Sequence, residues 1–180
     1  MPTALLIIDV QQVLCPGADA AFDVERVIDR INLVSQKARA AGALVVVIQH
    51  ETEGTGETDY GTDPWRLAPA LKTENSDVFL RKNATDSFHQ TELQATLRSR
   101  GIDRLIICGL QSEFCVDTTT RRALALGYPV VLVADGHSTL DNGALSAAQI
   151  SAHHHETLAN IRSFGPRVRA VPANEVQLEA

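Results

Sequence analysis

Cysteine is scarce in this chain. Its 180 residues include three, Cys15, Cys108 and Cys115, too few for a disulfide scaffold and without metal-cluster spacing. Positive charge is short as well. Lys and Arg number 16 against 22 Asp and Glu, a net charge of −6, which argues against a nucleic-acid partner because such partners want a basic patch. The opening MPTALLIIDVQQ holds one strand's length of apolar residues and no basic lead. The expectation is therefore no signal peptide, no membrane span and a cytoplasmic, reducing location. The sequence shows no internal repeat and no low-complexity linker, and GTGE at residues 54–57 lacks the lysine and spacing of a phosphate-binding loop. What is present is 44% hydrophobic and 21% charged. That suits one domain, residues 1–180, with a sizeable core.

Strand-like and helix-like segments alternate. Thr3 to Asp9 reads as a first strand ending in a carboxylate. Phe22 to Ala41 carries Val24, Val27, Ile28 and Ile31 at helical spacing, and Gly42 ends it. Ala43 to Gln49 is a continuous β-branched run, which fits a sheet covered on both faces. Residues 51–77 are polar and turn-rich, an excursion over the sheet edge with a short helix expected around Pro64 to Leu67. Long ordered loops of this kind often carry substrate contacts. Further strands are expected at Val78 to Arg81, Arg104 to Cys108, Pro129 to Ala134 and Val168 to Val171, and further helices at Thr91 to Arg100, Cys115 to Ala125 and Ala144 to Phe164. The series predicts a three-layer α/β/α sandwich with a mainly parallel six-stranded sheet.

Chemistry in such folds gathers beyond the carboxyl ends of the strands. Cys115 follows the strand through Cys108 and a glycine-containing turn, inside the first turns of the next helix. The positive end of a helix and its free amides hold part of a thiol as thiolate. A packed helix cysteine is the alternative, because free cysteine buries well; Cys108, inside an apolar strand, reads as such a residue. Asp9 ends the first strand, placed either to take a thiol proton or to close an Asx turn. Lys82 ends the third strand, where an ammonium would favour thiolate. Arg81 is adjacent, and alternation admits only one of the two to the cleft without saying which. His50 follows the second strand, so a Cys–His pairing stays open beside Asp9–Lys82–Cys115.

Three segments, LLIIDVQQ, FLRKNATDSFHQTELQATLRSRGIDRLIICG and GLQSEFCVDTTTRRALALGYPVVLVADG, together resemble the isochorismatase-like hydrolases, in particular their cysteine amidohydrolase members. The resemblance runs from about Ala4 to Val171. It implies Asp9 as general base, Lys82 as catalytic lysine and Cys115 as nucleophile. It also implies a cis peptide at Leu110–Gln111, with the backbone amides of Gln111 and Cys115 as oxyanion donors. The implied reaction is hydrolysis of an amide, ureide or carbamoyl C–N bond in a small molecule through a thioester. Vinyl-ether hydrolysis of the isochorismatase type, found in members without this cysteine, and an inactive binding scaffold are the alternatives.

The nicotinamidase members of that family bind a metal through an Asp-x-His pair and a later His. The comparable segment here is IQHETEGTG, with Gln49 in place of the carboxylate, Glu51 in place of the paired His and no further His until His89. No metal and no cofactor are expected. Three successive histidines, His153 to His155, splay around a helix and suit packing or an interface better than ligation. Gln12, His50, Tyr60, Trp65 and Phe114 are the expected pocket residues around the motif. The resemblance further implies a homodimer, with a homotetramer as the alternative; no membrane partner is expected.

Overall fold

The apolar runs of the first two strands are buried on both sides, and that sets the architecture. In β1 (Thr3–Ile8), Leu5 and Ile7 point to one face of the sheet while Ala4, Leu6 and Ile8 point to the other. One face packs against α1 (Val24–Ala40) through Val27, Ile31 and Val34. The opposite face packs against α2 (Leu93–Ser99), α3 (Asp117–Ala125) and α4 (Ala147–Ala159) through Leu93, Leu97, Leu124 and Leu158. Unbroken hydrophobic strands are what a doubly covered parallel sheet requires. The computed structural model describes residues 1–15 and 20–178.

The remaining strands are β2 (Leu44–His50), β3 (Val78–Lys82), β4 (Arg104–Leu110), β5 (Val130–Ser138) and β6 (Val168–Val171). They form one six-stranded sheet in the order β3-β2-β1-β4-β5-β6. All five pairings are parallel. Strand order reverses between β1 and β4, and a crevice opens at such a switch point beyond the carboxyl ends. Ile8 pairs with Gly109 there. Gly109 has φ 122°, and a Cβ on it would collide with the Ile8 carbonyl oxygen. Only glycine lets the two strands leave the sheet this close together.

Several expected boundaries change for physical reasons. The short helix around Pro64 to Leu67 does not form. Its backbone instead joins the segment after β1, with Gln12 N donating to Arg66 O (2.8 Å), Val13 N to Pro64 O (3.0 Å) and Ala68 N to Val10 O (2.9 Å). Strand β5 continues past Ala134 to Ser138. Its register against β4 jumps from Ile107↔Leu132 to Gly109↔His137, a bulge that carries the polar DGHS stretch without breaking the sheet. The last helix is shorter than Ala144 to Phe164. It starts after Ser146, whose side chain and that of Gln149 form a reciprocal capping box. It ends at Ala159, where Asn160 Nδ2 donates to Glu156 O at 2.8 Å.

Candidate active site

Strand ends separated in sequence deliver the site. Asp9 leaves β1 in a left-handed conformation, φ 52°, which turns the chain out of the sheet. In β3, Leu80 and Lys82 are buried and Arg81 is exposed, so the pleat settles which cation enters the cleft. Arg81 lies over the Tyr60 ring, 4.5 Å from its centroid, and pairs with Glu51 at 3.4 Å on the surface.

Lys82 Nζ is the hub. It donates to Asp9 Oδ2 at 2.7 Å, to Ala84 O at 3.1 Å and to Cys115 Sγ at 3.2 Å, and it lies 3.2 Å from His50 Nδ1. An ammonium has three hydrogens, matched here by three acceptors, Asp9 Oδ2, Ala84 O and Cys115 Sγ. Asp9 is 4% exposed, and its second oxygen, Oδ1, is buried with no partner among the described residues. That oxygen is an unused acceptor on a carboxylate that lies within 4.8 Å of the Cys115 thiol through one of its oxygens.

Cys115 sits in the first turns of the helical stretch after β4, and the turn that holds it is of π type. Residues Ser112–Val116 form a single π-helical turn ahead of α3. Cys115 is 8% exposed. Burial, reinforced by the Asp9 carboxylate and opposed by Lys82, pushes its thiol up to about 12. Desolvation here outweighs the thiolate-favouring ammonium of Lys82. The Leu110–Gln111 peptide is cis, and both residues line the cavity with Cys115. Gln111 O accepts from the amides of Phe114 and Val116, both at 3.2 Å.

His50 is drawn in by Gln11, which is 1% exposed. Gln11 Oε1 accepts from His50 N at 2.8 Å, while Gln11 Nε2 donates to His50 O at 2.9 Å and Trp65 O at 2.7 Å. Burial and then Lys82 lower the His50 pKa, so a neutral ring faces the ammonium. Behind the nucleophile turn, Ser112 Oγ lies 2.7 Å from His137 Nδ1 and 2.9 Å from Ser151 Oγ. Sequence reasoning missed Gln11 and this Ser112–His137 pair, because both depend on register: Gln11 on the pairing with the long loop, His137 on the β5 bulge.

The cavity over this cluster has a volume of about 800 Å³. Gln12, His50, Gln111 and Phe114 line it; Tyr60 and Trp65 do not. Those two pack edge to face, ring centroids 4.8 Å apart, and Tyr60 is 66% exposed. Thr52, Glu57, Thr58, Asp63 and Thr85 line the cavity instead. No periodic or motif signal singled them out within the polar loops.

Asp9, His50 and Cys115 offer ligand atoms within 4.8 Å of one another, a set that in isolation suggests a metal. Lys82 Nζ lies 2.7–3.2 Å from a donor atom of each. A cation held by all three would be pressed against an ammonium, so the donor set fits the lysine and not a metal. In the histidine run, His154 Nδ1 meets Asp117 Oδ1 at 3.0 Å.

The sequence model of the isochorismatase domain matches residues 3–165. The chain belongs to the isochorismatase family. Its relatives in that family include a streptothricin hydrolase of Streptomyces noursei, 36% identical over 94% of this chain and 64% of the relative's length. The ureidoacrylate amidohydrolase RutB of Klebsiella pneumoniae subsp. pneumoniae is 28% identical over 90% of this chain and 85% of its own. A crystallised isochorismatase family protein superposes with TM-score 0.85 at 36% identity, covering 94% of this chain and 97% of that one. Six parallel strands between helical layers are thus the isochorismatase fold. No helix among the described residues is long and apolar enough to cross a membrane.

Proposed function

We propose that this isochorismatase-family chain is a cysteine hydrolase of small-molecule C–N amide-type bonds, working through a thioester. The observation that carries the reading is Lys82 Nζ bridging Asp9 Oδ2 and Cys115 Sγ at the base of the cavity. The names of relatives, a hydrolase and an amidohydrolase, support the same reaction class.

Burial pushes the Cys115 thiol up, so in this reading deprotonation accompanies attack. Asp9 takes the Cys115 proton as Sγ adds to the substrate carbonyl. The Gln111 and Cys115 amides receive the developing oxyanion. Lys82 holds the Asp9 carboxylate in place and stabilises charge on sulfur. Collapse breaks the C–N bond, Asp9 returns its proton to the departing nitrogen, and an amine or ammonia leaves. Water then attacks the thioester with Asp9 as base, the acid is released and the thiol is restored. One amide and one water become one acid and one amine. The assembly in this reading is a homodimer, checked by light scattering.

A panel of small amides, ureides and carbamoyl compounds, read by ammonia release, tests the proposal together with Cys115→Ala. The expected result is turnover by the native chain, none by the variant, and an acyl adduct on Cys115 in trapped samples analysed by mass spectrometry. Undiminished turnover by Cys115→Ala refutes the nucleophile. Pyruvate release from isochorismate, with no amide turned over, would replace the reaction class.

A further inference from the structure

The charges around the cavity are one-sided. Asp9, Glu57 and Asp63 line it, and no lysine or arginine does. The residues outside the described set, 16–19 and 179–180, include no lysine or arginine in the sequence either. Lys82 touches the lining residues Asp9 and Cys115, but its side chain is 0% exposed and its donors are spent on Asp9, Cys115 and Ala84. It neutralises Asp9 from behind and offers nothing to a substrate carboxylate. His50, the remaining basic group in the lining, is biased toward the neutral ring by burial and by Lys82.

Glu57 and Asp63 differ from Asp9. The Glu57 carboxylate has no hydrogen bond or ion pair among the described residues. Its loop is held by Asp59, whose carboxylate accepts from Thr52 Oγ1 at 3.1 Å, Thr55 N at 3.3 Å and Gly56 N at 3.2 Å. Asp63 pairs with Arg66 at 2.8 Å, but the two side chains are 79% and 58% exposed. Such a pair is weak in water and yields readily to a competing cation. The same lining holds apolar Val13, Leu14, Pro64, Leu110 and Phe114 beside the uncharged polar Gln11, Gln12, Thr52, Thr58, Thr85 and Gln111. A hydrocarbon stem suits the apolar part, and a terminal cation suits Glu57 and Asp63.

We propose that the substrates are cationic amides: small molecules with the scissile amide at Cys115 and an ammonium or guanidinium group on an apolar stem, held by Glu57 and Asp63. This rests on the amide-hydrolase reading above and adds the substrate's charge. An amide bearing a carboxylate instead meets two like charges, one of them already paired with Arg66. The net charge of −6 adds long-range attraction for cations.

The test uses three straight-chain primary amides of equal length ending in an amino, a methyl or a carboxyl group. Ammonia release gives kcat/KM for each. The expected order is amino, methyl, carboxyl, with an amino-to-carboxyl ratio on the order of tenfold at low salt that shrinks as salt screens it. In the Glu57→Gln/Asp63→Asn double variant that ratio falls toward one. A carboxyl substrate that matches the amino one, or a ratio that survives in the double variant, overturns the proposal while leaving the hydrolase reading intact. If none of the three is turned over, calorimetric binding of the same amides to the Cys115→Ala variant decides the charge claim independently. The amino amide binding tightest supports it; indifference to the end group, or no binding at all, overturns it.

Discussion

Lys82 Nζ and Asp9 Oδ2 are 2.7 Å apart across 73 residues of sequence, buried together at the ends of β3 and β1. Breaking that pair strands a carboxylate in the interior. Lys82→Met should lower stability by about 3–5 kcal/mol, the cost of leaving one buried partner uncompensated, and remove at least about a hundredfold in kcat. Arg81→Ala, one residue earlier and on the solvent side, should stay within about 0.5 kcal/mol of the parent. Urea unfolding and steady-state kinetics on the two variants check the contrast.

Asp9 and His50 compete for the role of base. The unpartnered Asp9 Oδ1 is free to accept a proton, whereas His50 Nδ1 faces the Lys82 ammonium. Asp9→Asn should cost at least about a thousandfold in kcat/KM, and His50→Gln less than about tenfold. The reverse ranking would make this a Cys–His enzyme.

The alkaline side of stability should report Cys115. Its thiol titrates from a reference of 9.0 when exposed and near 12 when folded. The folded state therefore holds the proton more tightly. Stability from this group is complete below about pH 9 and declines as pH rises toward 12, by a few kcal/mol in total. Cys115→Ser lacks the titration, so its stability curve should be flatter over that window. Iodoacetamide labelling of the native protein should likewise climb with pH and show no plateau below about pH 10.

The acid side should report His137. The ring is 5% exposed, and its burial, with His155 and His154 nearby, lowers the pKa to about 4 from 6.5. Stability from the neutral ring is present above pH 6.5 and is lost as pH falls through 4, about 3 kcal/mol in all. His137→Gln should flatten that limb in thermal melts taken from pH 7 to pH 4.

Gly109 carries the closest backbone approach in the site. Gly109→Ala sets a methyl group against the Ile8 carbonyl oxygen at φ 122° and should destabilise by at least about 3 kcal/mol. Gly101→Ala, with φ 63° and open space around its Cβ, should cost only about 1 kcal/mol. Comparing the two melting temperatures separates the collision from the strain of a positive φ.

Much of the scaffold was legible because its signals are local. The apolar runs in β1 and β2 and the helical spacing of Val27, Ile31 and Val34 each mark an element without reference to the rest of the chain. The polar stretch of β5 was lost because a bulge, not a periodicity, keeps it in the sheet. The loop segment at Pro64 to Leu67 was misassigned because its backbone partners lie more than fifty residues away.

The sequence by itself determined the carboxylate Asp9 after the first apolar run, the Arg81–Lys82 pair at the end of β3, the motif around Cys115 and, through those motifs, the family. Tertiary structure decided which of Arg81 and Lys82 faces inward, that burial pushes the Cys115 thiol up, and that the cavity lining carries carboxylates and, among the described residues, no lysine or arginine. The reason is physical. Periodicity depends on neighbours a few residues apart, whereas pleat register, desolvation and local field depend on groups that only folding brings together, such as Lys82 and Cys115, 33 residues apart in sequence and 3.2 Å apart in space.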